Sequence, residues 1–361
     1  MKEELLFLLS NIETINQIAL SGYIIIILGG IIFKRVIEKV TLGVYNEEKG
    51  AKNMDYGYIK DQNGVSHKCS KVILGAAPLG TTIPRKSAFA VLDLFRNNGG
   101  NMIDTARVYC DWLEGGHGVS EKTVGLWIKE RDCREEVFIS TKGGHPFLES
   151  METSRLTKAD ILYDIEESLK ALQTDYIDFY FLHRDDETIS VEEIIDLLTE
   201  VVESGKIRMI GVSNWRIERI LAANEYARKY QKTPFVVSQL QWSYAKASGK
   251  DMFGTGTISM NEQQYQQYLL SDIPVFAYTS QGSGVFSQGY KEDLSDIKEK
   301  HRKYYSQENI ERYQILKNNC EERAISPTQF ALEYITKDSL NGFAIVGCSK
   351  IEQLQDVLKG L

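Results

Sequence analysis

Eight short apolar runs, each followed by a longer amphipathic stretch, fill the chain from residue 71 onward. The runs are KVILG (71–75), NMID (101–104), EVFISTK (136–142), YIDFYFLH (176–183), IRMIGVS (207–213), FVVSQ (235–239), IPVFAY (273–278) and FAIVG (343–347). These short apolar runs read as strands. The stretches between and after them, 86–97, 120–130, 157–172, 191–203, 215–229, 261–270, 308–323 and 350–358, carry apolar residues at helical spacing. Ser120-Glu121, Ser190 with Glu193 three residues on, and Ser326-Pro327 read as helix starts. Eight strand–helix units are what a closed (β/α)8 TIM barrel requires. A doubly wound open sheet would show a glycine fingerprint after its first strand, and LGAAPLG is not one. The two long connections, 240–259 and 281–307, both lead from strand to helix, the face on which a barrel keeps its active site.

Two features precede the repeat. Asn63-Gly64 between alternating segments predicts an N-terminal β-hairpin over 56–70. Before it, IALSGYIIIILGGIIF (18–33) contains no charge and is followed by Lys34, Arg35 and Lys39. Counted from Ile15 it approaches the roughly 20 residues of a spanning helix. The basic flank would keep the C-terminal side of the segment in the cytoplasm. The same segment also reads as a buried strand and a docked helix. The expected organisation is therefore a 1–53 extension, with a candidate single-pass anchor over 15–33 and a polar linker, and a barrel over 54–361.

A net charge of -8 speaks against a nucleic-acid partner, since counterion release needs clustered cations. Five dispersed cysteines form no CxxC pair, which suits a reducing compartment. Cys110 and His117 could meet in one loop, but two ligands do not make a metal site, and none is expected. Monomer or weak oligomer is the expected state.

Consecutive strand ends carry Asp104 with Tyr109 just beyond, then Lys142, then His183. In a barrel these ends converge. Asp104 would balance Lys142, and an ammonium beside a phenol favours phenolate, lowering the Tyr109 pKa from about 10. Such a tyrosine can give a proton to an oxygen becoming an alkoxide, with His183 orienting it. Singly, each residue has a plainer explanation: a helix cap, a rim lysine, a core histidine.

The residues 56–361 resemble the aldo-keto reductase family, through IDTA-x-x-Y (103–109), TKGG (141–144), FLH (181–183) and GKIRMIGVSNW (205–215). The HRDD run (183–186) and the DWLEGGHG insertion (111–118) are similar to a bacterial branch found joined to sugar or inositol dehydrogenase-like proteins. The resemblance implies a carbonyl reductase of an aldehyde or ketone, with NADP(H) as first expectation and NAD(H) as second. It implies that Ser213, Asn214 and Gln239 hold the nicotinamide amide and that Tyr278 stacks on its ring. Thr279-Ser280-Gln281-Gly282-Ser283-Gly284 stands where family members bind the pyrophosphate, and its small residues leave backbone N–H groups for phosphate oxygens. Gly347, Cys348, Ser349, Lys350 and Gln353 fall at the adenosine end, with Lys350 its only cation.

The mouth is expected to include Trp112, His117, Arg184 and Trp242, a mixed lining that favours a hydroxyl-bearing, sugar-derived carbonyl. Arg184 pairing with Asp186 on the rim is the alternative for that arginine. Two other functions compete: a membrane-tethered auxiliary subunit that binds NADP(H), and a barrel aldolase or hydrolase. An aldolase would need an unpaired lysine.

Overall fold

The computed structural model of the chain describes residues 54–248, 256–287, 290 and 298–359. The 1–53 extension, with its 15–33 segment, lies outside the described residues. Among the described residues no helix is long and apolar enough to cross a membrane.

The hairpin pairs β1 (Tyr56–Lys60) with β2 (Ser66–Ser70), antiparallel, Lys60 opposite Ser66. Its turn is a five-residue loop rather than a two-residue one. Asp61 stabilises the loop by accepting from the Asn63 and Val65 N–H groups, and Gly64 takes φ +79°. The barrel proper contains β3 (Val72–Gly75), β4 (Met102–Asp104), β5 (Phe138–Gly143), β6 (Ile177–Leu182), β7 (Ile207–Ser213), β8 (Phe235–Gln241), β9 (Val275–Tyr278) and β10 (Gly342–Val346). The eight are parallel and closed in the order β10-β3-β4-β5-β6-β7-β8-β9, so no edge is left unpaired. Helices α1 (Arg85–Asn97), α2 (Val119–Arg131), α3 (Lys158–Leu172), α4 (Val191–Glu203), α5 (Ile217–Tyr230), α6 (Glu262–Ser271), α7 (Gln307–Arg323), α8 (Pro327–Thr336) and α9 (Ile351–Leu358) follow the strands, α7 and α8 both lying between β9 and β10.

Ser190 and Ser326 cap α4 and α8 as their spacing predicts. Ser120 does not cap α2, whose N-cap is Gly118. Its hydroxyl is buried instead, donating to the Ala76 carbonyl and meeting Thr105 Oγ1, which ties α2 to the ends of β3 and β4.

The period of two along each strand explains what fills the barrel. Ile73, Met102, Phe179, Phe181, Met209, Val237, Phe276 and Phe343 point inward and form one cluster, joined by Ile59 and Cys69 of the hairpin. Each fully buried phenylalanine here contributes about 1.5–3 kcal/mol of transfer free energy. The hairpin closes the end where strands begin: Tyr56 Oη donates to the Gly99 carbonyl and Asn341 Nδ2 to the Tyr58 carbonyl. Two residues further along the same inward rows the side chains turn polar: Asp104 after Met102, His183 after Phe181, Gln239 after Val237, Tyr278 after Phe276. The apolar plug is the floor and these groups are the surface above it.

Candidate active site

Asp104 is the hub. Its Oδ1 accepts from Ser140 Oγ (2.6 Å) and Gln239 Nε2 (2.9 Å), and its Oδ2 from Lys142 Nζ (2.7 Å). The carboxylate is 1% exposed and Lys142 is fully buried, so neither ion has water to rely on. Asp104 caps no helix. Lys142 commits all three ammonium protons, to Asp104 Oδ2, the Thr105 carbonyl (2.7 Å) and Tyr109 Oη (2.9 Å). Burial alone would push its pKa down, but Asp104 and then Tyr109 outweigh that, and it is raised. Lys142 is a satisfied cation.

Tyr109 is held by the segment after β4, which keeps β5 as its template: Thr105 N–H donates to the Ser140 carbonyl and Arg107 N–H to the Lys142 carbonyl. Cys110, at φ +76°, then turns the chain, with its thiol on the Ala77 carbonyl. The phenol oxygen accepts from Lys142 and lies 3.5 Å from Asp104 Oδ2, too long to occupy its proton firmly. The lysine does not lower the phenol's pKa below its ordinary value. Burial raises it, Lys142 pulls back only in part, and Asp104 cancels some of that pull. The group is thereby kept protonated, the form a proton donor needs.

His183 stands edge-on to Tyr109, ring centroids 6.0 Å apart. Burial holds its imidazole well below the usual range, with His145, Lys142 and Arg184 adding to the effect, so it is neutral. Its Nδ1 is buried and has no hydrogen-bond partner among the described residues. His145 packs against it at 4.8 Å, is likewise kept neutral by burial at about 4, and points Nδ1 at the Pro146 carbonyl. The sequence pattern did not mark His145, although it lies three residues beyond the strand-end lysine.

Across the mouth, Asn214 sits at φ +63° just past β7. Its Oδ1 accepts from Tyr278 Oη (2.8 Å) and Ile258 N–H (3.1 Å), and its Nδ2 donates to Ser213 Oγ (3.0 Å). Gln239 stands beside Ser213 in the β7–β8 register. Ser213, Asn214, Gln239 and Tyr278 therefore form one wall, joined to the Asp104 cluster through Gln239. After β9, Thr279, Gly282, Ser283 and Gly284 all have positive φ, a tightly wound arc in which the Gly282 and Gly284 N–H groups donate to the Thr279 and Gln281 carbonyls. Ser280 Oγ ties that arc to the Ile345 carbonyl, while Lys300 Nζ and His301 Nε2 reach the Ser283 carbonyl. Lys300, in a connection without periodicity, is a cation that no sequence signal singled out. Gln281 is half-buried in the same arc.

At the end of β10, Gly347, Ser349 and Lys350 are exposed at the N-terminus of α9. The Cys348 thiol is turned into the core, burial pushing it up to about 12, so only its backbone faces outward. Gln353 Oε1 accepts from Ser349 N–H, Ser349 Oγ and Lys350 N–H, so its oxygen caps α9.

The four expected mouth residues separate. Trp112 is 57% exposed on the rim. His117 turns to Asp111 (3.1 Å) and Arg107 (2.6 Å), on a cleft of about 690 Å³ that His145 also borders. Trp242 is not a mouth residue: it is 2% exposed and packs against Tyr265 and Tyr334, one residue past the inward row of β8. Arg184 does not pair with Asp186, which accepts from Thr188 instead; it donates to the His183 carbonyl (3.0 Å).

A sequence model described as the aldo/keto reductase family matches residues 71–361. Among curated relatives, norsolorinic acid reductase B of Dothistroma septosporum is 28% identical over 304 residues, 80% of this chain and 74% of its own length. Norsolorinic acid reductase of Aspergillus flavus is 29% identical over 287 residues, 76% of this chain and 67% of its own. Aryl-alcohol dehydrogenase [NADP(+)] of Phanerodontia chrysosporium is 32% identical over 191 residues, 48% of each chain.

Proposed function

The chain belongs to the aldo/keto reductase family and is an NAD(P)-dependent oxidoreductase, and from that premise we propose that Tyr109 is the proton donor in its reduction of an aldehyde or ketone. The observation that carries this is the Lys142 ammonium donating to Tyr109 Oη at 2.9 Å while nothing firmly holds the phenol's own proton. When bound, the dihydronicotinamide supplies the hydride. Tyr109 gives its proton to the carbonyl oxygen, Lys142 steadies the charge left on the phenol, and neutral His183 donates a hydrogen bond to the same oxygen. Asp104 keeps Lys142 charged and in place. In the reverse direction the same groups take the proton from an alcohol. A lysine with three committed protons is unsuited to the aldolase reading, which needs a free amine.

Ser213, Asn214, Gln239 and Tyr278 suit a nicotinamide with its polar amide on one wall, and the 279–284 arc suits a pyrophosphate. NADP(H) is our first cofactor, with Lys350 at the start of α9 for the 2′-phosphate. With so few cations there, NADPH and NADH should differ in affinity by about 10- to 100-fold at most, since one exposed lysine–phosphate contact is worth only a few kcal/mol. Fluorescence titration of both checks this, and a gap of several thousand-fold would mean a phosphate-binding residue has been overlooked. A sugar-derived carbonyl is the preferred substrate, supported by the Arg184 guanidinium beside His183. The relatives named for norsolorinic acid and aryl alcohols favour an aromatic carbonyl as a second reading. Steady-state turnover of NADPH with sugar aldehydes, ketones and benzaldehydes tests the whole assignment, and no turnover with any of them would favour the auxiliary-subunit reading.

The 15–33 segment is proposed as a membrane anchor that leaves the barrel on the cytoplasmic side, because a free apolar stretch of that length must be covered. Detergent-free fractionation should pellet the full chain and leave a chain starting at Asn53 in the supernatant. Recovery of the full chain as a soluble monomer would overturn the anchor.

A further inference from the structure

Resting on the carbonyl-reductase reading above, we propose that Arg184 binds a carboxylate carried by the substrate, so that the site takes carbonyl compounds that are also acids. In the sugar reading that means a sugar acid.

Arg184 is the residue after His183, at the C-terminal end of β6 where strand ends converge. Its guanidinium is mostly out of water, and burial pushes it below its ordinary value. Its Nε is buried without a hydrogen-bond partner among the described residues, and Nη1 donates to the neutral carbonyl of His183. No carboxylate lies within ion-pair range of it among the described residues. The two acids that follow it in sequence are spent elsewhere: Asp185 on Arg219 (2.9 Å), Asp186 on Thr188. The His183 carbonyl that takes Nη1 is also reached by Asn214 Nδ2 (3.5 Å), which sets the guanidinium beside His183 and the Asn214 wall of the mouth.

A guanidinium with no countercharge among the described residues is poorly compensated in a substrate mouth, and a ligand that supplies one stabilises it there. The planar fork matches a carboxylate bidentately. A phosphate dianion would need a second free cation, and Lys142 is already neutralised by Asp104. The one other anion that could reach here is the cofactor's own pyrophosphate, and the measurements separate the two sources.

The turnover arm compares 3- and 4-carboxybenzaldehyde with 3- and 4-nitrobenzaldehyde, which are close in shape and differ in charge. The parent should favour the carboxylates in kcat/KM, and Arg184→Met should reduce the carboxylate-to-nitro ratio by at least about 30-fold. The binding arm needs no turnover: benzoate and benzamide are titrated into the NADP+ complex by calorimetry. Benzoate should bind at least about 10-fold tighter than benzamide, and Arg184→Met should abolish the difference. Equal binding of the two by the parent overturns the proposal. A loss of NADP+ affinity in Arg184→Met with the benzoate preference intact also overturns it, by assigning the arginine to the pyrophosphate. If every aldehyde fails to turn over while benzoate binding depends on Arg184, the reductase reading falls and the carboxylate site stands.

Discussion

Replacing Tyr109 by Phe should lower carbonyl reduction by more than about 100-fold, within the 10²–10⁴ range for a positioned general acid, while NADPH affinity stays within a few-fold. The substitution deletes one oxygen from a ring whose edge packs on His183, so the pocket keeps its shape. It removes the acceptor for one of the three Lys142 protons, and the ammonium retains Asp104 and the Thr105 carbonyl. The damage should therefore appear in the chemical step. The pH profile supplies a second readout. The donor must be protonated, and burial raises the phenol above its ordinary value, so the rate of reduction should not fall on the phenol's account until pH passes beyond about 10. A profile breaking near neutrality in the parent and absent from Tyr109→Phe would mean that the phenol titrates low, as Lys142 alone would make it. Turnover surviving in Tyr109→Phe would remove the residue from the acid role altogether.

The barrel was legible because its signals are local. Each strand is a short, largely apolar run, each helix has its own period, and the count of eight follows by addition. The convergence of Asp104, Lys142 and His183 was legible too, since Asp104 and Lys142 occupy the last inward positions of their strands and His183 the first position beyond its own. What escaped depends on groups distant in the chain. Gln239 reaches Asp104 across 135 positions of sequence, and nothing near either residue announces it. Trp242 looked like a mouth residue because it follows β8 closely, but one step along a strand turns a side chain to the opposite face. The direction of the Tyr109 pKa depended on weighing burial against one ammonium, and depth of burial cannot be read from neighbours in sequence. Pairing of Arg184 with Asp186 was the alternative suggested by nearness in sequence, whereas the fold hands Asp186 to Thr188 and Asp185 to Arg219.

Lys142→Met should cost both stability and activity, and the two losses can be separated. Lys142 Nζ and Asp104 Oδ2 are 2.7 Å apart with both side chains essentially out of water. Removing one member of such a pair leaves an uncompensated buried charge, a loss of about 3–5 kcal/mol, read as a lowered midpoint in urea unfolding. Methionine is nearly as long and unbranched, so it can fill the lysine's track, and the lost charge rather than a cavity dominates. If so, Asp104→Asn added to Lys142→Met should recover much of the stability, because the second change removes the stranded carboxylate while its neighbours Ser140 and Gln239 still find an amide oxygen. A double variant less stable than Lys142→Met alone would show that Asp104 serves the fold through its other bonds more than through the pair. Activity should not return. The double variant keeps a packed pocket and Tyr109, yet lacks the cation that stabilises charge on the phenol as its proton leaves. Turnover still depressed by more than about 100-fold in a chain as stable as the parent would assign Lys142 to the chemistry, since loss of a preorganised charged donor is worth several kcal/mol in the transition state.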